Sequence, residues 1–429
     1  MSQDGRPLYD GILQYCVRCC LPETQEGIRF DEMGVCPACR ASEEKIHIDW
    51  TERQRQLRTL FEHHKQRAGS NYDCIVPISG GKDSTFQLHV LTKIYGMKPL
   101  AVTFSHNWYS KTGLYNLYNS LEKFGVDHIM FTPNRQVVNK LAQKSLGMIG
   151  DSCWHCHMGV GAFPLQIAVR FRIPLLVWGE SLSEGDGRAT YFEGVTRYDR
   201  DYFTKVSARV EAPGMVDENI SNISARDVYP FLLPSVEEIE REGVVGIHLG
   251  DYVFWDDERQ TEFVKRVYGW REDYVEGTYK TYKSVECIMA GVHDYAKFVK
   301  RGFGRGTDHA SQDVRAGLLT REEGFELAKQ ADTQRPRALD YYLQITGLTE
   351  SEFNCTLVGL REGKARDLPA PPPPDAANDR PSLRPAIVEL IGDAQEESPA
   401  SQEVSHVESF PFDRADAFDE TGPAKAAQD

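Results

Sequence analysis

The chain has 429 residues, of which 41% are hydrophobic and 26% charged, and this length and composition allow two or three globular domains. Its formal net charge of -15 disfavours broad, non-specific binding of nucleic acids, although a local basic site is compatible with it. No stretch approaches the roughly 18 apolar residues that a membrane-spanning helix needs, so we expect no membrane insertion.

Residues 1–45 are rich in cysteine and poor in long apolar runs. The N-terminus lacks the basic start and apolar core of a signal peptide, so we expect a cytoplasmic protein whose thiols bind metal or stay reduced rather than form disulfides. Two Cys-x2-Cys pairs with sixteen residues between them match the spacing of a four-thiolate zinc site: Cys16, Cys19, Cys36 and Cys39. This predicts a structural zinc-binding, zinc-ribbon-like module. Cys20 leaves one ambiguity, since it could replace Cys19.

A polar helical connector is predicted at residues 46–70, and residues 71–234 then alternate short apolar runs with segments of helical length. The predicted strands are 73–78, 99–104, 128–132 and 174–178, and the predicted helices are 84–95, 113–124, 137–146 and 159–171. This alternation predicts an α/β domain whose doubly wound, mainly parallel sheet is covered by helices on both faces. Ligands in such sheets bind beyond the carboxyl ends of the strands.

The remainder of the chain consists of a region of helical pattern and an acidic tail. Residues 235–362 read as mainly helical, with one further strand expected near residues 244–249. Residues 363–429 are acidic and rich in Pro and Ala, a composition that predicts disorder because it buries too little apolar surface. Within the helical region, a glycine-rich basic run contains Arg301 and Arg305 and favours an anionic ligand. A solvated loop would explain the same run.

The segment Ser79-Gly80-Gly81-Lys82-Asp83-Ser84 joins the first predicted strand of the α/β domain to a helix. Its glycines let the main chain approach an anion closely, and the free amides at a helix start favour phosphate. The hydroxyls of Ser79 and Ser84 and the charge of Lys82 would add to such a site, whereas Asp83 suits a helix cap or a magnesium ligand. The alternative is an ordinary glycine turn before a helix. The spacing is not that of a Walker loop.

This hexapeptide resembles the SGGxDS signature of the PP-loop ATP pyrophosphatases and matches it at every fixed position. The resemblance implies cleavage of ATP to AMP and pyrophosphate with Mg²⁺, catalytic roles for Lys82 and Asp83, and adenine contact near Phe104. Many relatives carry a Gly-His-x-x-Asp-Asp-like stretch where this chain has Gly179-Glu180-Ser181-Leu182-Ser183-Glu184. Because Glu180 replaces the histidine and no Asp pair follows, a magnesium-binding role for Glu180 and a merely solvated loop both stay open.

The segment Cys153-Trp154-His155-Cys156-His157 matches a haem-attachment pattern, but the lack of an export signal argues against covalent haem. Some PP-loop enzymes that thiolate tRNA hold an iron–sulfur cluster with a comparable cysteine pair and a third cysteine. Here Cys287 and Cys74 are the candidates for that third ligand. A second thiol or metal site at Cys153 and Cys156 and the simple packing of two thiols are both compatible with the sequence.

The cysteine quartet, the SGGKDS loop and the segments that begin at Cys153, Ile173 and Phe303 together resemble the N-acetyl sugar amidotransferase family over about residues 12–355. That family serves O-antigen and related bacterial surface-glycan pathways. The resemblance implies that ATP adenylates the acetamido oxygen of an N-acetylated, nucleotide-linked sugar and that ammonia then displaces AMP to leave an acetamidino group.

The source of the ammonia is expected to be a separate glutaminase subunit. The sequence begins Met1-Ser2, without an N-terminal cysteine nucleophile, and contains no Gly-x-Cys-x-Gly elbow of the glutaminase type. Relatives are encoded beside proteins that resemble the two halves of imidazole-glycerol-phosphate synthase, which implies a comparable partner here.

Two other functions stay open at this point. A tRNA sulfur transferase would use the same adenylation, with sulfur as the nucleophile and a cysteine pair or iron–sulfur cluster as its carrier. The net negative charge argues mildly against tRNA as the substrate. A non-catalytic zinc-ribbon adaptor would carry a degenerate nucleotide loop, whereas the loop of this chain is intact.

Overall fold

The computed structural model describes residues 5–181, 183, 191 and 208–374 of the chain. Three features considered above lie outside these residues: the Met1-Ser2 start, positions 182 and 184 of the segment after the fourth strand, and residues 375–429 of the predicted disordered tail 363–429. The start of that tail is ordered, contrary to the prediction, because Gly363–Asp367 form a short helix and Ala365 and Leu368 are buried. Among the described helices, none combines the length and apolar character needed to cross a membrane.

A parallel sheet of five strands, in the order β3-β2-β1-β4-β5, forms the centre of the fold. The strands are β1 (Cys74–Pro77), β2 (Pro99–Phe104), β3 (His128–Phe131), β4 (Leu175–Trp178) and β5 (Val245–His248). Ile75 of β1 pairs with Leu100 of β2 on one side and with Leu176 of β4 on the other. Short, continuously apolar runs suit strands that are buried on both faces, and the predicted α/β fold is confirmed.

The helices before and between the strands are α1 (Pro37–Lys45), α2 (Trp50–Ala68), α3 (Lys82–His89), α4 (Lys111–Phe124), α5 (Arg135–Ile149), α6 (Trp154–Phe171), α7 (Ala225–Val228) and α8 (Val236–Glu242). After β5 follow α9 (Asp257–Tyr268), α10 (Ala290–Arg301), α11 (Arg305–Arg315), α12 (Arg321–Asp332), α13 (Ala338–Thr346) and α14 (Glu350–Gly359). Capping boxes fix the starts of α12 and α14, where Thr320 and Thr349 exchange hydrogen bonds with glutamates three residues later. The predicted mainly helical C-terminal region is thereby confirmed.

Helices cover both faces of the sheet. Successive residues of a strand point to opposite faces, and along β1 Cys74 and Val76 join one hydrophobic cluster whereas Ile75 joins another. The first cluster contains side chains from α2, α3, α4 and α9, and the second contains side chains from α5, α6 and α7. The sheet is therefore doubly wound.

Two boundaries differ from the predictions. β5 pairs with β4 although it lies beyond residue 234, where the α/β domain was predicted to end, because its apolar residues fill the next position of the same sheet. The helix predicted to begin at Gly159 begins at Trp154, and the N–H of Cys153 donates to Asp151 Oδ1 at 2.7 Å just before it. The Cys153–His157 segment is thus the N-cap and the first turn of this helix.

The cysteine-rich segment rests on the C-terminal helices. Arg321, the first residue of α12, donates to the carbonyl oxygens of Cys16 and Cys19 at 2.7 and 3.0 Å. Thr24 Oγ1 donates to the Arg301 carbonyl at 2.7 Å at the end of α10. A third hydrophobic cluster joins α10, α13 and α14 to α5 and the start of α6. These contacts join three distant parts of the chain.

Candidate active site

The middle of the sheet provides the crevice at which parallel sheets bind ligands. β1 and β4 are neighbours, and the strand order continues to β2 on one side and to β5 on the other. At such a reversal the connections diverge and leave a crevice beyond the carboxyl ends of the two strands. The loop Ser79–Ser84 follows β1 and Gly179-Glu180 follows β4, so the two predicted segments meet there.

The loop after β1 has the geometry of an anion-binding turn. Gly80 adopts a φ of 89°, and a Cβ on it would lie 2.4 Å from the carbonyl oxygen of Gly113. Gly81 precedes α3 as its N-cap, and no described side chain caps this helix start. Ser79 Oγ accepts from the Gly81 N–H at 3.2 Å, and Ser84 Oγ donates to the Gly81 carbonyl at 3.0 Å. The uncapped amides and the positive end of the helix dipole favour a phosphate group here.

Gly80→Ala should therefore destabilise the protein and weaken nucleotide binding. The left-handed backbone alone costs an alanine about 1–2 kcal/mol, and the close approach to Gly113 adds to that cost. Chemical denaturation and ATP-binding calorimetry measure the two effects. Gly147→Ala in α5 is the matched control, because a Cβ there meets no atom within 4 Å. Equal stability and equal ATP affinity in the two variants would show that Gly80 has no special role.

Three carboxylates and two lysines lie beside this loop. Asp83, Glu180 and Asp257 each place an oxygen within 4.8 Å of the others. Lys82 Nζ is 2.5 Å from Asp83 Oδ1 and 2.6 Å from Asp257 Oδ1, while Lys283 is paired with Asp257 and lies 3.9 Å from Glu180 Oε1. Oxygen ligands of this kind are those that Mg²⁺ prefers, so the cluster could hold the metal of a nucleotide complex.

The charges within this cluster are strongly coupled. Burial would lower the pKa of Lys82, but Asp257 and Asp83 outweigh burial and raise that pKa above its usual range. Burial would raise the pKa of Asp257, yet Lys283 and Lys82 hold it well below its usual range. The Asp83 carboxylate is the main cause that raises the pKa of Glu180 to about 7. Lys82, with a side chain only 2% exposed, is thus held between two carboxylates.

A cavity of about 740 Å³ joins the loop and the carboxylates to the basic run of the helical region. This cavity is lined by Glu180, by four basic residues and by five residues of the loop: Lys297, Lys300, Arg301, Arg305, Ser79, Gly81, Lys82, Asp83 and Ser84. Arg305 Nε lies 3.1 Å from Asp294 Oδ1, and Arg301 Nη2 lies 2.8 Å from Glu26 Oε2. Both predicted anion-binding arginines are therefore brought to the cavity that contains the loop, each oriented by a carboxylate.

A second, more apolar cavity of about 310 Å³ adjoins the first at Ser79, Trp178 and Glu286. Phe104 lines it but is only 3% exposed, because its ring packs against Phe131, Phe163 and Phe231. The Phe104 ring forms part of the wall of a cavity that could accept an adenine base. Contact between Phe104 and adenine stays a prediction.

The cysteines considered for a second thiol or metal site do not all lie together in the structure. Cys153, Cys156 and Cys287 line the second cavity, whereas Cys74 lies in β1 within the hydrophobic cluster on the opposite face of the sheet. Burial raises the pKa of Cys156 and of Cys287 above the usual range of a thiol. These thiols therefore resist ionisation, which is the property of a packed rather than a reactive cysteine.

The N-terminal cysteine quartet forms a compact, buried cluster. The Sγ atoms of Cys16 and Cys39 are 3.8 Å apart, those of Cys19 and Cys36 are 3.6 Å apart, and all of these cysteines are free thiols. A tetrahedral ion with bonds of about 2.3 Å to sulfur requires sulfur–sulfur distances of about 3.8 Å, so the cluster fits a metal ion. Cys20 lies apart and donates to the Arg321 carbonyl at 3.6 Å, and burial raises its pKa to about 12.

Several residues of the site were not found from the sequence. Asp257 follows the acidic residue Asp256 at the start of α9, shortly after β5, and this acidic pair after a buried strand is a signal that could have been used. Lys283 and Glu286 lie between α9 and α10, where the local sequence carries no comparable signal. One oxygen of Glu286 is buried without a hydrogen-bond partner, and both cavities touch this side chain.

Similarities to known proteins include the following three. An uncharacterized protein of Methanocaldococcus jannaschii, MJ1599, is 24% identical over 105 residues, which are 24% of this chain and 37% of that protein. The NMN synthetase of Francisella tularensis is similar in structure over 46% of this chain and 93% of that one, but its 12% identity and TM-score of 0.26 support no conclusion. Residues 276–365 match the family described as "LPS biosynthesis protein WbpG-like, C-terminal domain", so the helical region that lines the cavity is similar to a domain of lipopolysaccharide biosynthesis proteins.

Proposed function

We propose that this chain is an ATP-dependent N-acetyl sugar amidotransferase that forms AMP and pyrophosphate and acts in bacterial surface-glycan biosynthesis. One observation carries the proposal: the loop after β1, two of the three clustered carboxylates (Asp83 and Glu180) and the basic run line a single cavity. Part of that cavity belongs to the region that matches the lipopolysaccharide biosynthesis domain. These observations support a reaction between ATP at the loop and an anionic sugar nucleotide at the basic wall of the cavity.

ATP would bind across the two cavities. Its phosphates would meet the uncapped start of α3 at Gly81, and its adenine would enter the apolar cavity beside Phe104. Asp83, Glu180 and Asp257 would hold Mg²⁺, which neutralises charge on the phosphates. Lys82, paired with two of these carboxylates, would keep them in position.

The reaction proceeds by two displacements. The acetamido oxygen of the sugar attacks the α-phosphorus of ATP, the bond to the β-phosphate breaks and pyrophosphate leaves, while the amide nitrogen loses its proton. Ammonia then adds to the activated carbon, the carbon–oxygen bond breaks, AMP leaves and the amidine forms with loss of a proton from nitrogen. Burial raises the pKa of Glu286, which makes this carboxylate at the junction of the cavities a suitable proton acceptor.

The basic run would bind the diphosphate of the sugar nucleotide. Arg301 and Arg305 suit bidentate contacts to phosphate oxygens, and Lys297 and Lys300 add point charges on the same wall. An N-acetylated sugar attached to that diphosphate would then reach toward the α-phosphate of ATP.

The domain assignments and the remaining partners belong to the same proposal. Residues 1–45 would form the zinc module, 46–70 the connector, 71–234 with β5 the ATP-binding domain, 235–362 the helical region and 363–429 the tail. Zn²⁺ in the cysteine quartet would be structural, since the four thiols are buried away from the carboxylate cluster. Ammonia would come from a separate glutaminase subunit.

The decisive experiment is a pyrophosphate-release assay with the purified chain, ammonium and a panel of nucleotide-linked N-acetylated sugars. We expect release with one sugar and a product in which NH replaces the acetamido oxygen, detected by mass spectrometry. Glutamine alone should not replace ammonium. No release with any sugar, together with release and thiolation of tRNA, would overturn the proposal in favour of a sulfur transferase, for which Cys153, Cys156 and Cys287 beside the second cavity are the supporting observation.

A further inference from the structure

We infer that Asp151, His157 and His293 form a binding site for a divalent transition-metal ion of the zinc class. The three residues lie apart in sequence from the cysteine quartet and from the carboxylates beside the loop. Each offers a ligand atom, and all three atoms lie within 4.8 Å of one another. Two imidazoles and one carboxylate form a common set of protein ligands for Zn²⁺, Co²⁺ and Fe²⁺.

Asp151 and His293 are within hydrogen-bond distance of each other, and the separations of the three ligand atoms also suit a bound ion. Asp151 Oδ1 is 3.2 Å from His293 Nδ1, and Asp151 Oδ2 is 3.6 Å from His157 Nδ1. A tetrahedral ion with bonds of about 2.0–2.1 Å separates its ligand atoms by about 3.3 Å. A charged hydrogen bond between imidazole and carboxylate would bring nitrogen and oxygen to about 2.7–2.9 Å. The observed separations of 3.2 and 3.6 Å lie on either side of the value of about 3.3 Å expected for a bound ion. Both are longer than the charged hydrogen bond.

The three side chains are positioned by rigid elements. Asp151 follows the end of α5, His157 lies in the first turn of α6 and His293 lies in the first turn of α10. The Cys153 N–H donates to Asp151 Oδ1 at 2.7 Å, and Ser145 Oγ donates to the Asp151 carbonyl at 2.6 Å. Such supporting hydrogen bonds orient a ligand before the ion binds.

The site also opens into the cavities described above. All three residues line the 740 Å³ cavity, and both histidines line the 310 Å³ cavity as well. His155, two residues before His157, is fully buried against Trp108, so the same helical turn directs one histidine to the core and the other to the cavity. Three protein ligands leave one position of a tetrahedral ion open toward the cavity, as in sites where a metal binds water or substrate.

Metal content and Co²⁺ binding test the inference without ATP or sugar, so the outcome is independent of the proposed activity. The wild-type chain should hold about two transition-metal equivalents, one in the cysteine quartet and one here. His157→Gln and Asp151→Asn should each lose about one equivalent and the weak visible bands of Co²⁺ on nitrogen and oxygen ligands. The intense thiolate bands of Co²⁺ in the cysteine quartet should remain.

His63→Gln, which removes an exposed histidine of α2, is the matched control and should retain both equivalents. His157 is only partly buried, so its replacement tests the site even where Asp151→Asn perturbs folding, and thermal unfolding of each variant verifies the fold. Wild-type metal content and Co²⁺ spectra in a folded His157→Gln variant would overturn the inference and leave Asp151 as a simple ion-pair partner of the two histidines.

Discussion

Asp257→Asn should lower kcat/KM for pyrophosphate release on the order of 10²- to 10³-fold, the size of loss that follows removal of one preorganised electrostatic group from an active site. Asp257 accepts from Lys82 at 2.6 Å, is also paired with Lys283 and belongs to the carboxylate cluster beside the loop. The amide keeps the shape of the side chain but removes the negative charge. Both the binding of Mg²⁺ and the position of Lys82 should suffer.

Asp256→Asn is the control for this variant, because it makes the same replacement of a carboxylate by an amide at the neighbouring residue. Asp256 caps α9 by accepting from the Arg259 N–H at 3.0 Å, and asparagine caps helices about as well as aspartate. Its activity should stay near that of the wild type. Steady-state assays across a Mg²⁺ titration measure both variants, and the midpoint should rise only for Asp257→Asn. Equal activities and midpoints would remove Asp257 from the site.

The loop and its surroundings could be predicted because the signals are local. The strand Pro99–Phe104 has the predicted bounds, and α3 begins at Lys82, within the hexapeptide that was expected to join strand and helix. Apolar runs of strand length and glycines at a helix start act over a few residues, so they can be read without knowing the tertiary structure.

Asp257 could not be placed in the same way, because its position depends on strand pairing. Glu180 follows β4 and Asp257 follows β5, and they meet because Trp178 and His248 pair at the ends of these two strands. The sequence showed one expected strand near residues 244–249 but not that it would lie beside β4. The order of strands in a sheet rests on contacts between distant segments, which one sequence does not display.

The cysteines show the same division. The spacing of the two Cys-x2-Cys pairs is enough to predict that they form one cluster. The sequence does not show whether Cys287 or Cys74 lies beside Cys153 and Cys156. Cys74 belongs to β1 and faces the hydrophobic cluster on the opposite side of the sheet from α6. Cys287 pairs with Tyr109 in an isolated antiparallel β-bridge between two irregular segments. No periodic pattern of apolar residues in the sequence predicts such a contact.

Cys19→Ser should remove one metal equivalent from the chain and destabilise it by several kcal/mol, because the binding energy of a structural zinc ion is part of the folding energy of its module. The Cys19 and Cys36 sulfurs are 3.6 Å apart in a cluster whose members are almost fully buried. Leu21, Gln25 and Glu26 of the same segment line the 740 Å³ cavity. Loss of the ion should therefore also raise the KM for the sugar nucleotide.

Cys20→Ser is the control, since Cys20 is the adjacent residue, is equally buried and lies outside the cluster. Serine can donate to the Arg321 carbonyl as the thiol does, so metal content and melting temperature should stay close to the wild type. Elemental analysis and thermal unfolding with and without a strong chelator measure both properties. The chelator should lower the melting temperature of the wild type and of Cys20→Ser by more than that of Cys19→Ser, which has already lost the ion of the quartet. An equal chelator response in all three proteins would mean that the quartet does not hold the stabilising ion, since that ion would then bind independently of Cys19.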